Sequence, residues 1–207
     1  MSSISIIGTG NMARILGTLA VKGGNAAEVI GRDPAKAAAL ASELGRGATT
    51  GTFGTTPAGD IVILAVPYAA AAPAASQYGD ALAGKVIVDI SNPFNPSATG
   101  LATPDGTSIA QEIAKAAPAN ATVVKAFNTI FGNVLAQGHP LDVFLAGDDA
   151  QAKASLSAFI KSLGLRPLDA GDLTMAHWLE GAGLLVMGLA RYGVGNYDFS
   201  LGVSLPG

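Results

Sequence analysis

Short apolar runs alternate with amphipathic segments along most of this chain. Seven runs have the length and β-branched content of strands, and several are continuously apolar rather than alternating. The segments between them carry apolar residues at helical spacing, and Pro34 stands where proline suits the first turn of a helix. The predicted strands are 4–7, 28–30, 61–66, 86–90, 122–126, 143–146 and 166–169, with a weaker candidate at 48–51; the predicted helices are 11–22, 34–44, 69–82, 108–116, 150–163 and 172–192.

A glycine-rich turn follows the first predicted strand and leads straight into the first helix. Residues 8–13 read Gly-Thr-Gly-Asn-Met-Ala, which is the Gly-x-Gly-x-x-Ala fingerprint of dinucleotide-binding sites in its usual setting. The first glycine permits the tight turn, and the second lets a pyrophosphate approach the backbone. The helix N-terminus offers free N–H groups to the phosphates.

Strands and helices in this order predict an α/β fold of Rossmann type, with a doubly wound, mainly parallel sheet and helices on both faces. We expect a dinucleotide-binding domain over residues 1–170 of the 207, and a C-terminal helical extension over 171–207. The loop 91–107 is rich in proline and glycine and long for a compact domain, which favours a functional role.

The end of the second predicted strand indicates which nicotinamide cofactor to expect. NAD enzymes commonly place an acidic residue there for the ribose 2′-hydroxyl, whereas NADP enzymes place a cation. Here Arg32 stands at the strand end and Lys36 follows, while Glu28 comes too early to reach the ribose. Asp33 could pair with Lys36 or repel a phosphate, and both cations could be solvated surface residues. We expect NADP(H), because the strand ends on arginine rather than on an acid.

Composition excludes several other kinds of site. The chain has no cysteine, and its two histidines are too far apart in sequence to suggest a metal site. Its net charge of −3 gives no general attraction for nucleic acid. The first strand follows Met-Ser-Ser directly, and the longest apolar stretch, 184–190, is short for a membrane span. We therefore expect a cytoplasmic protein without a metal, nucleic-acid or membrane partner.

Six stretches of the chain carry a family resemblance. They are 6–12 (Ile-Ile-Gly-Thr-Gly-Asn-Met), 30–34 (Ile-Gly-Arg-Asp-Pro), 88–93 (Val-Asp-Ile-Ser-Asn-Pro), 123–130 (Val-Val-Lys-Ala-Phe-Asn-Thr-Ile), 146–149 (Ala-Gly-Asp-Asp) and 164–171 (Gly-Leu-Arg-Pro-Leu-Asp-Ala-Gly). Over about residues 4–190 the chain resembles the NADPH-dependent coenzyme F420 reductases (F420H2:NADP+ oxidoreductases) and their relatives, the NADPH-binding domains of the STEAP metalloreductases. This resemblance implies hydride transfer between NADPH and an acceptor that is either the deazaflavin F420 or a flavin.

The resemblance also implies where the parts of NADP(H) would lie. Phosphate groups would meet Thr9, Arg32 and Lys36, and the loop 65–67 would lie beside the adenosine ribose. Asn92 would lie near the nicotinamide, and residues 127–130 would form the wall facing the acceptor ring. The expected cofactor-binding residues are Gly8, Thr9, Gly10, Asn11, Met12, Gly31, Arg32, Lys36, Ala65, Val66, Pro67, Asn92, Ala126 and Asn128.

Hydride transfer asks the protein mainly to hold the nicotinamide close to its acceptor. Asn92 and Asn128 each follow a predicted strand at the ligand-binding edge, so we expect these two as catalytic residues whose amides hold the carboxamide or a ring carbonyl. Turn capping is the alternative for both amides, and it has equal weight for Asn92. Lys125 could contact an acidic ligand and His177 could protonate a bound ring. For these two, a lysine reaching solvent and a packed histidine are the favoured interpretations.

The last predicted helix is apolar on more than one face, with Trp178 and Leu185 on a stripe beside its main apolar stripe. One domain rarely covers such a helix completely, so we predict a homodimer that shares it; a core helix within the monomer is the alternative. His177, Trp178 and the tail 196–199 depart from the F420 reductase pattern on the acceptor side.

The identity of the acceptor therefore stays open. F420 has a polyanionic tail, and a chain with only 12 lysines and arginines mildly favours a flavin. A reductase of an imine, a carbonyl or ferric iron is a second hypothesis, although only one helix and a tail follow residue 169, where imine-reducing relatives carry a second helical domain. A third is an NADPH-sensing module that binds without turnover.

Overall fold

Eight strands form a single sheet in a computed structural model that describes residues 2–204. The strands are β1 (Ser3–Ile7), β2 (Ala26–Gly31), β3 (Thr49–Thr52), β4 (Ile61–Leu64), β5 (Val86–Asp89), β6 (Thr122–Ala126), β7 (Asp142–Gly147) and β8 (Arg166–Asp169). The helices are α1 (Asn11–Lys22), α2 (Pro34–Leu44), α3 (Tyr68–Tyr78), α4 (Ile109–Ala116), α5 (Gly132–Ala136), α6 (Ala150–Ser162) and α7 (Ala176–Gly188). Short 3₁₀ turns follow α3 and precede α7, and a π-helical turn, Leu189–Gly193, continues α7.

The strand order is β3-β2-β1-β4-β5-β6-β7-β8, so the direction of winding reverses between β1 and β4. The helices α1, α2, α5 and α6 contribute to one buried cluster, and α3 and α4 contribute to a second. The predicted Rossmann-type class is therefore confirmed, including the weaker strand candidate, which forms the edge strand β3. In such sheets, ligands bind beside the carboxyl ends of the strands at the reversal.

One strand pair differs from the rest. β7 runs antiparallel to β6, with Lys125 opposite Ala146, whereas the other pairs between described strands are parallel. The connection 127–141 holds only the five-residue helix α5, which the apolar pattern did not predict, and it is not a full crossover helix. An antiparallel return leaves both ends of this connection at the carboxyl edge, so the whole segment lies on the side where ligands bind.

The C-terminal helix packs on the sheet domain, where α7 contacts β7 and α4. Among the described residues, the segment Leu173–Gly193 is long and apolar enough to cross a membrane by length and composition, with 39% of its most apolar window buried. The sequence analysis considered only the run 184–190, which is too short to span a membrane, but the apolar pattern continues on both sides of that run. A core helix of a protein outside the membrane can have the same length and apolar composition. The division of the chain at residue 170 remains a prediction.

Candidate active site

The glycine-rich turn lies at the reversal between β1 and β4, and its backbone leaves no room for a side chain at Gly8. This residue has φ of +133°, and a Cβ there would lie 2.2 Å from the carbonyl oxygen of Ala65. Its N–H donates to the Ile30 carbonyl at 2.8 Å, which fixes the turn. At Gly10, by contrast, a Cβ would meet no atom within 4 Å. Gly10 is the uncapped N-cap of α1, so the helix N–H groups face open space of the kind a pyrophosphate needs.

A cavity of about 280 Å³ lies on the β2 side of this turn and contains the two predicted cations. Asp33 caps α2, because its carboxylate accepts from the N–H groups of Ala35 and Lys36 at 3.0 and 3.3 Å. Neither Arg32 nor Lys36 forms a salt bridge within residues 2–204. Both charges are therefore available to an anion. The predicted residues that line this cavity are Gly8, Thr9, Gly31, Arg32, Lys36, Val66 and Pro67.

Phe53, which follows β3, is a residue of this site that the sequence reasoning missed. The Arg32 guanidinium carbon lies 5.4 Å from the Phe53 ring centroid, within the range of a cation–π contact. Tyr78 packs edge-on against the Phe53 ring, with the two ring centroids 5.1 Å apart. An aromatic residue directly after the edge strand next to the cation is the signal that could have identified it.

Asn92 and Asn128 meet at the other side of the glycine turn. The Asn128 Nδ2 donates to Asn92 Oδ1 at 2.9 Å and to the Leu179 carbonyl at 2.7 Å, and Asn92 Nδ2 returns a bond of 2.7 Å to the Asn128 carbonyl. The two side chains line a cavity of about 190 Å³ together with Phe131, Gly183 and other residues of 128–132 and α7. The structure thus brings together two amides that lie 36 residues apart in sequence.

One atom of this amide pair lacks a partner. The Oδ1 of Asn128 is buried and accepts no hydrogen bond from any residue in the range 2–204. A buried acceptor left without a donor costs about 1–3 kcal/mol, so a native site of this kind needs an explanation. The amide N–H₂ of a nicotinamide is a donor of the type that this oxygen lacks.

The residue before Asn128 adopts a strained conformation. Phe127 has φ of +63° and is 1% exposed, and a left-handed conformation costs a non-glycine residue about 1–2 kcal/mol. Such strain tends to lie at functional sites, where the surroundings enforce it. Phe127 packs in the core, so the wall of the cavity begins at Asn128 rather than at Phe127 as expected. Ala126 is fully buried in β6, and its expected contact with the cofactor stays a prediction. The expected cofactor-binding residues that line neither cavity are Gly10, Asn11, Met12, Ala65 and Ala126.

Lys125 does not reach solvent, contrary to the favoured interpretation. It is fully buried, and its Nζ donates to Asp89 Oδ2 at 2.7 Å, to Glu180 Oε1 at 2.8 Å and to the Ser91 carbonyl at 2.6 Å. The three donors of the ammonium group are therefore all used. Spacing along the chain does not connect these residues, because they come from β5, β6 and α7. We call Asp89, Lys125 and Glu180 the buried ion cluster.

Glu180 is the unusual member of this cluster. Its Oε1 also accepts from the Ile109 N–H at 3.0 Å, whereas its Oε2 is buried and has no partner in the described part of the chain. Burial raises the pKa of Glu180 above its ordinary value, and the nearby Lys125 opposes this only in part. One lysine and two carboxylates would leave a buried negative charge, so a proton on Glu180 makes the cluster neutral.

The glycine turn connects the two cavities. A Cβ on Gly132, at the start of α5, would lie 3.1 Å from Asn11 Nδ2 and 3.2 Å from Met12 Sδ at the start of α1. The pyrophosphate turn therefore lies directly beside the wall of the smaller cavity. Arg32 lines the cavity on one side of this turn, and Asn128 lines the cavity on the other side.

The acceptor-side segments that depart from the F420 reductase pattern take different positions. Tyr197 and Phe199 pack edge-on against Phe131, with centroids 5.3 and 5.6 Å away, so the tail supports the cavity wall. The His177 Nδ1 lies 2.9 Å from the Thr107 carbonyl, in agreement with a packed histidine. Trp178 is 66% exposed and lines neither cavity.

Comparison with known proteins agrees with this geometry. Residues 3–93, which contain the glycine turn and Arg32, match the family described as NADP oxidoreductase, coenzyme F420-dependent. This coenzyme F420-dependent NADP oxidoreductase family was the one expected from the motifs, and the fingerprint and the strand-end cation both fall inside the matched range.

Similarity to individual proteins extends over more of the chain. It is 33% identical to metalloreductase STEAP3 of Rattus norvegicus over 181 residues, which cover 86% of this chain and 35% of the rat protein. It is 30% identical over 139 residues to the F420-dependent NADP reductase of Methanocaldococcus jannaschii, which covers 63% of this chain and 62% of the reductase. This chain thus spans less than two thirds of either relative.

A solved structure from Arthrobacter sp. is similar along nearly the whole fold. That protein, described as a candidate F420-dependent NADP reductase, aligns with a TM-score of 0.86 at 25% identity and covers 99% of this chain and 100% of its own. The alignment includes the C-terminal helix and tail, so the C-terminal extension is shared with this structure.

Proposed function

We propose that this protein transfers a hydride between NADPH and a flat ring acceptor, either a deazaflavin such as F420 or a flavin. The observation that carries this proposal is the buried Asn92–Asn128 pair, in which Asn128 Oδ1 has no partner among residues 2–204; the family-matched glycine turn supports it. The family supports NADP(H) as the donor. The two relatives named above, a metalloreductase and an F420-dependent NADP reductase, support redox chemistry without identifying the acceptor of this chain.

In this proposal the residues mainly bind and orient. Arg32 and Lys36 hold the 2′-phosphate through charge-assisted hydrogen bonds. The turn at 8–10 and the N-terminus of α1 hold the pyrophosphate. Bound NADPH supplies the hydride from C4 of its nicotinamide. Asn128 Oδ1 accepts from the carboxamide, which fixes the ring, and Phe131 helps to exclude water from its edge.

The lining of the smaller cavity favours a ring acceptor over an imine or a carbonyl. Its residues are Asn92, Phe94, Asn128, Thr129, Ile130, Phe131, Gly132, Gly183, Val186 and Met187. None of these is an acid, a lysine or a histidine that could donate a proton near neutral pH. Reduction of a carbonyl or imine benefits from a placed general acid. A flat aromatic acceptor requires mainly close stacking in an apolar, largely dry site.

The test is NADPH oxidation, followed by its absorbance, with F420, FMN and FAD offered separately and NADH run beside each. We expect turnover with at least one of the three acceptors and much slower oxidation of NADH. Fast turnover with F420 alone identifies a deazaflavin reductase, and turnover with free flavins identifies a flavin reductase. Tight NADPH binding without oxidation by any acceptor contradicts the proposal and leaves an NADPH-binding module.

We propose further that a second copy of this chain covers the exposed stripe of the last helix. Trp178, Leu185 and Tyr192 lie on its outward face, with Trp178 66%, Leu185 56% and Tyr192 85% exposed. Residues 181–190 contain no charged side chain, and a Cβ on Gly181 or Gly188 would meet open space. Such a face can meet a copy of itself across a two-fold axis without burying like charges against each other.

Sedimentation at micromolar concentration tests this assembly, with Leu185→Glu beside the wild type. We expect a dimer for the wild type and a monomer for the variant, because the charge would be buried at the interface. Ala38→Glu, which adds the same charge on the exposed face of α2, gives a matched surface control. A monomeric wild-type protein, or binding to lipid vesicles in place of self-association, contradicts the proposed dimer.

A further inference from the structure

We infer that the buried ion cluster positions the Asn92–Asn128 pair, so that Glu180 is a positioning residue for the nicotinamide although it touches no ligand. This inference rests on the proposed function. The basis is the position of the cluster. All three side chains are fully buried, and none lines the smaller cavity. In sequence, Asp89 and Lys125 come shortly before Asn92 and Asn128, and Glu180 follows Leu179, whose carbonyl accepts from Asn128.

The cluster fixes the chain on the Asn92 side through Ser91. The Ser91 N–H and Oγ both donate to Asp89 Oδ1, at 2.9 and 2.7 Å, and the Ser91 carbonyl accepts from Lys125 Nζ at 2.6 Å. Every polar group of Ser91 is thus bonded to the cluster. Because Asn92 follows directly, its backbone has little freedom to move away from Asn128.

The cluster fixes the Asn128 side through α7. Asn128 Nδ2 donates to the carbonyl of Leu179, and the next residue, Glu180, is held by Lys125 and by the Ile109 N–H. These bonds set the position of α7 relative to β6 and to the start of α4. A small shift of α7 would therefore break the bond to Leu179 and turn the free oxygen of Asn128.

Stability alone gives no reason for such a cluster at this place. Burying charges costs desolvation, and apolar residues of similar volume are often as stable or more stable in such positions. Lys125 follows Val123 and Val124 in β6, where another apolar residue would continue the core. Directional bonds do what an apolar contact does not, since they specify one orientation for the two chain segments that carry the amides.

The test measures the two ends of the cofactor separately, by the affinities for NADPH and for 2′-phospho-ADP-ribose, which lacks the nicotinamide. For Glu180→Leu we expect the preference for NADPH to fall about tenfold while 2′-phospho-ADP-ribose binds as in the wild type. Glu180→Gln keeps an acceptor oxygen for Lys125 and Ile109, so we expect it to retain most of the preference. Ser91→Ala is a milder variant that keeps the ion pairs, and should lose about two- to threefold.

Asn25→Ala serves as the control for general destabilisation. Asn25 is buried at the opposite edge of the sheet, where it bonds to Ala20 and Ser162, and its loss should leave the preference for NADPH unchanged. An equal loss for both ligands in the Glu180 and Ser91 variants, or a Gln variant as impaired as the Leu variant, would overturn the inference. A wild-type protein that binds neither ligand contradicts the proposed function instead.

Discussion

The two ends of the proposed cofactor path are built in opposite ways. The end at Arg32 is open, its cations are exposed, and its residues come from one strand–turn–helix unit and the segments beside it. The end at Asn128 is closed, and its polar groups are buried and joined by bonds between residues 36 to 71 positions apart. A phosphate can be bound at an exposed edge because charge-assisted hydrogen bonds are strong. The neutral nicotinamide of NADPH forms weaker hydrogen bonds, so it needs fixed partners in a cavity that excludes water.

The largest difference between the two ends should appear in their lysines. Lys125→Met removes the cation that contacts both Asp89 and Glu180, and we expect a loss of about 3–5 kcal/mol in the free energy of unfolding. Lys36→Met, the matched change at the exposed end, should have little effect on stability. Urea unfolding of both variants measures this, and equal stability of the two would contradict the description of the buried end.

Arg32→Ala should show the reverse behaviour, with a normal fold and an altered nucleotide preference. A bond between arginine and phosphate is charge-assisted, so we expect KM for NADPH to rise about 10- to 100-fold, with a much smaller change for NADH. Steady-state kinetics with both nucleotides measures it. Lys22→Ala, at the far end of α1, is the control. Equal effects on NADPH and NADH would mean that Arg32 does not bind the 2′-phosphate.

Two glycines of α7 test the closed end with the smallest possible change. A Cβ on Gly183 would lie 2.7 Å from Asn92 Oδ1, whereas one on Gly181 would meet nothing within 4 Å. We expect Gly183→Ala to lower kcat about tenfold by displacing the amide pair, with KM for NADPH changing less. Gly181→Ala should retain wild-type kinetics. Similar kinetics for the two variants would argue against a role of the amide pair in turnover.

The smallest effects concern pH, and the two buried carboxylates should respond in opposite directions. The raised pKa of Glu180 means that the folded protein binds this proton more tightly than the unfolded chain does. The free energy of unfolding therefore falls as pH rises from the ordinary pKa of a glutamate through the higher pKa of the folded state. The hydrogen bond from Arg166 lowers the pKa of Asp142, whose contribution is present above its ordinary pKa and is lost as pH falls through the folded value.

Unfolding measured from acid to alkaline pH separates these contributions. As pH rises, Glu180→Gln should become more stable relative to the wild type. As pH falls, the difference in free energy of unfolding between Asp142→Asn and the wild type should shrink. A pH-independent difference for Glu180→Gln would mean that Glu180 has the same pKa in the folded and unfolded protein.

The same contrast explains which features of the fold and the site could be predicted from the sequence. The glycine turn and Arg32 follow from local spacing, since a strand, a turn and a helix within a short segment determine their positions. The helices α1 and α2 and the strands β6 and β8 were predicted with the bounds that the structure has. The edge strand β3 was only a weaker candidate, because its residues are short of apolar side chains.

The closed end was harder to predict from the sequence. Asn92 and Asn128 could be placed at the right edge of the sheet, but their contact with each other and with α7 could not be foreseen. Lys125 was expected at the surface because burial of a lysine depends on partners that only the tertiary fold supplies. Asp89 and Glu180 went unnoticed for the same reason. The short helix α5 gave no periodic signal, and the strand predicted at 143–146 carried no sign that β7 would run antiparallel to β6.

The most direct test of the account is the transfer of deuterium from NADPH labelled separately in each of the two hydrogen positions at C4 of the nicotinamide. A ring held by the Asn92–Asn128 pair presents only one face to the acceptor, so one label should transfer completely and the other should remain in NADP+. With a deazaflavin acceptor, the label arrives on carbon and is retained. With a flavin acceptor the label arrives on a nitrogen and exchanges with water, so the label that remains in NADP+ is measured instead. Transfer from both positions would contradict a nicotinamide fixed in this cavity.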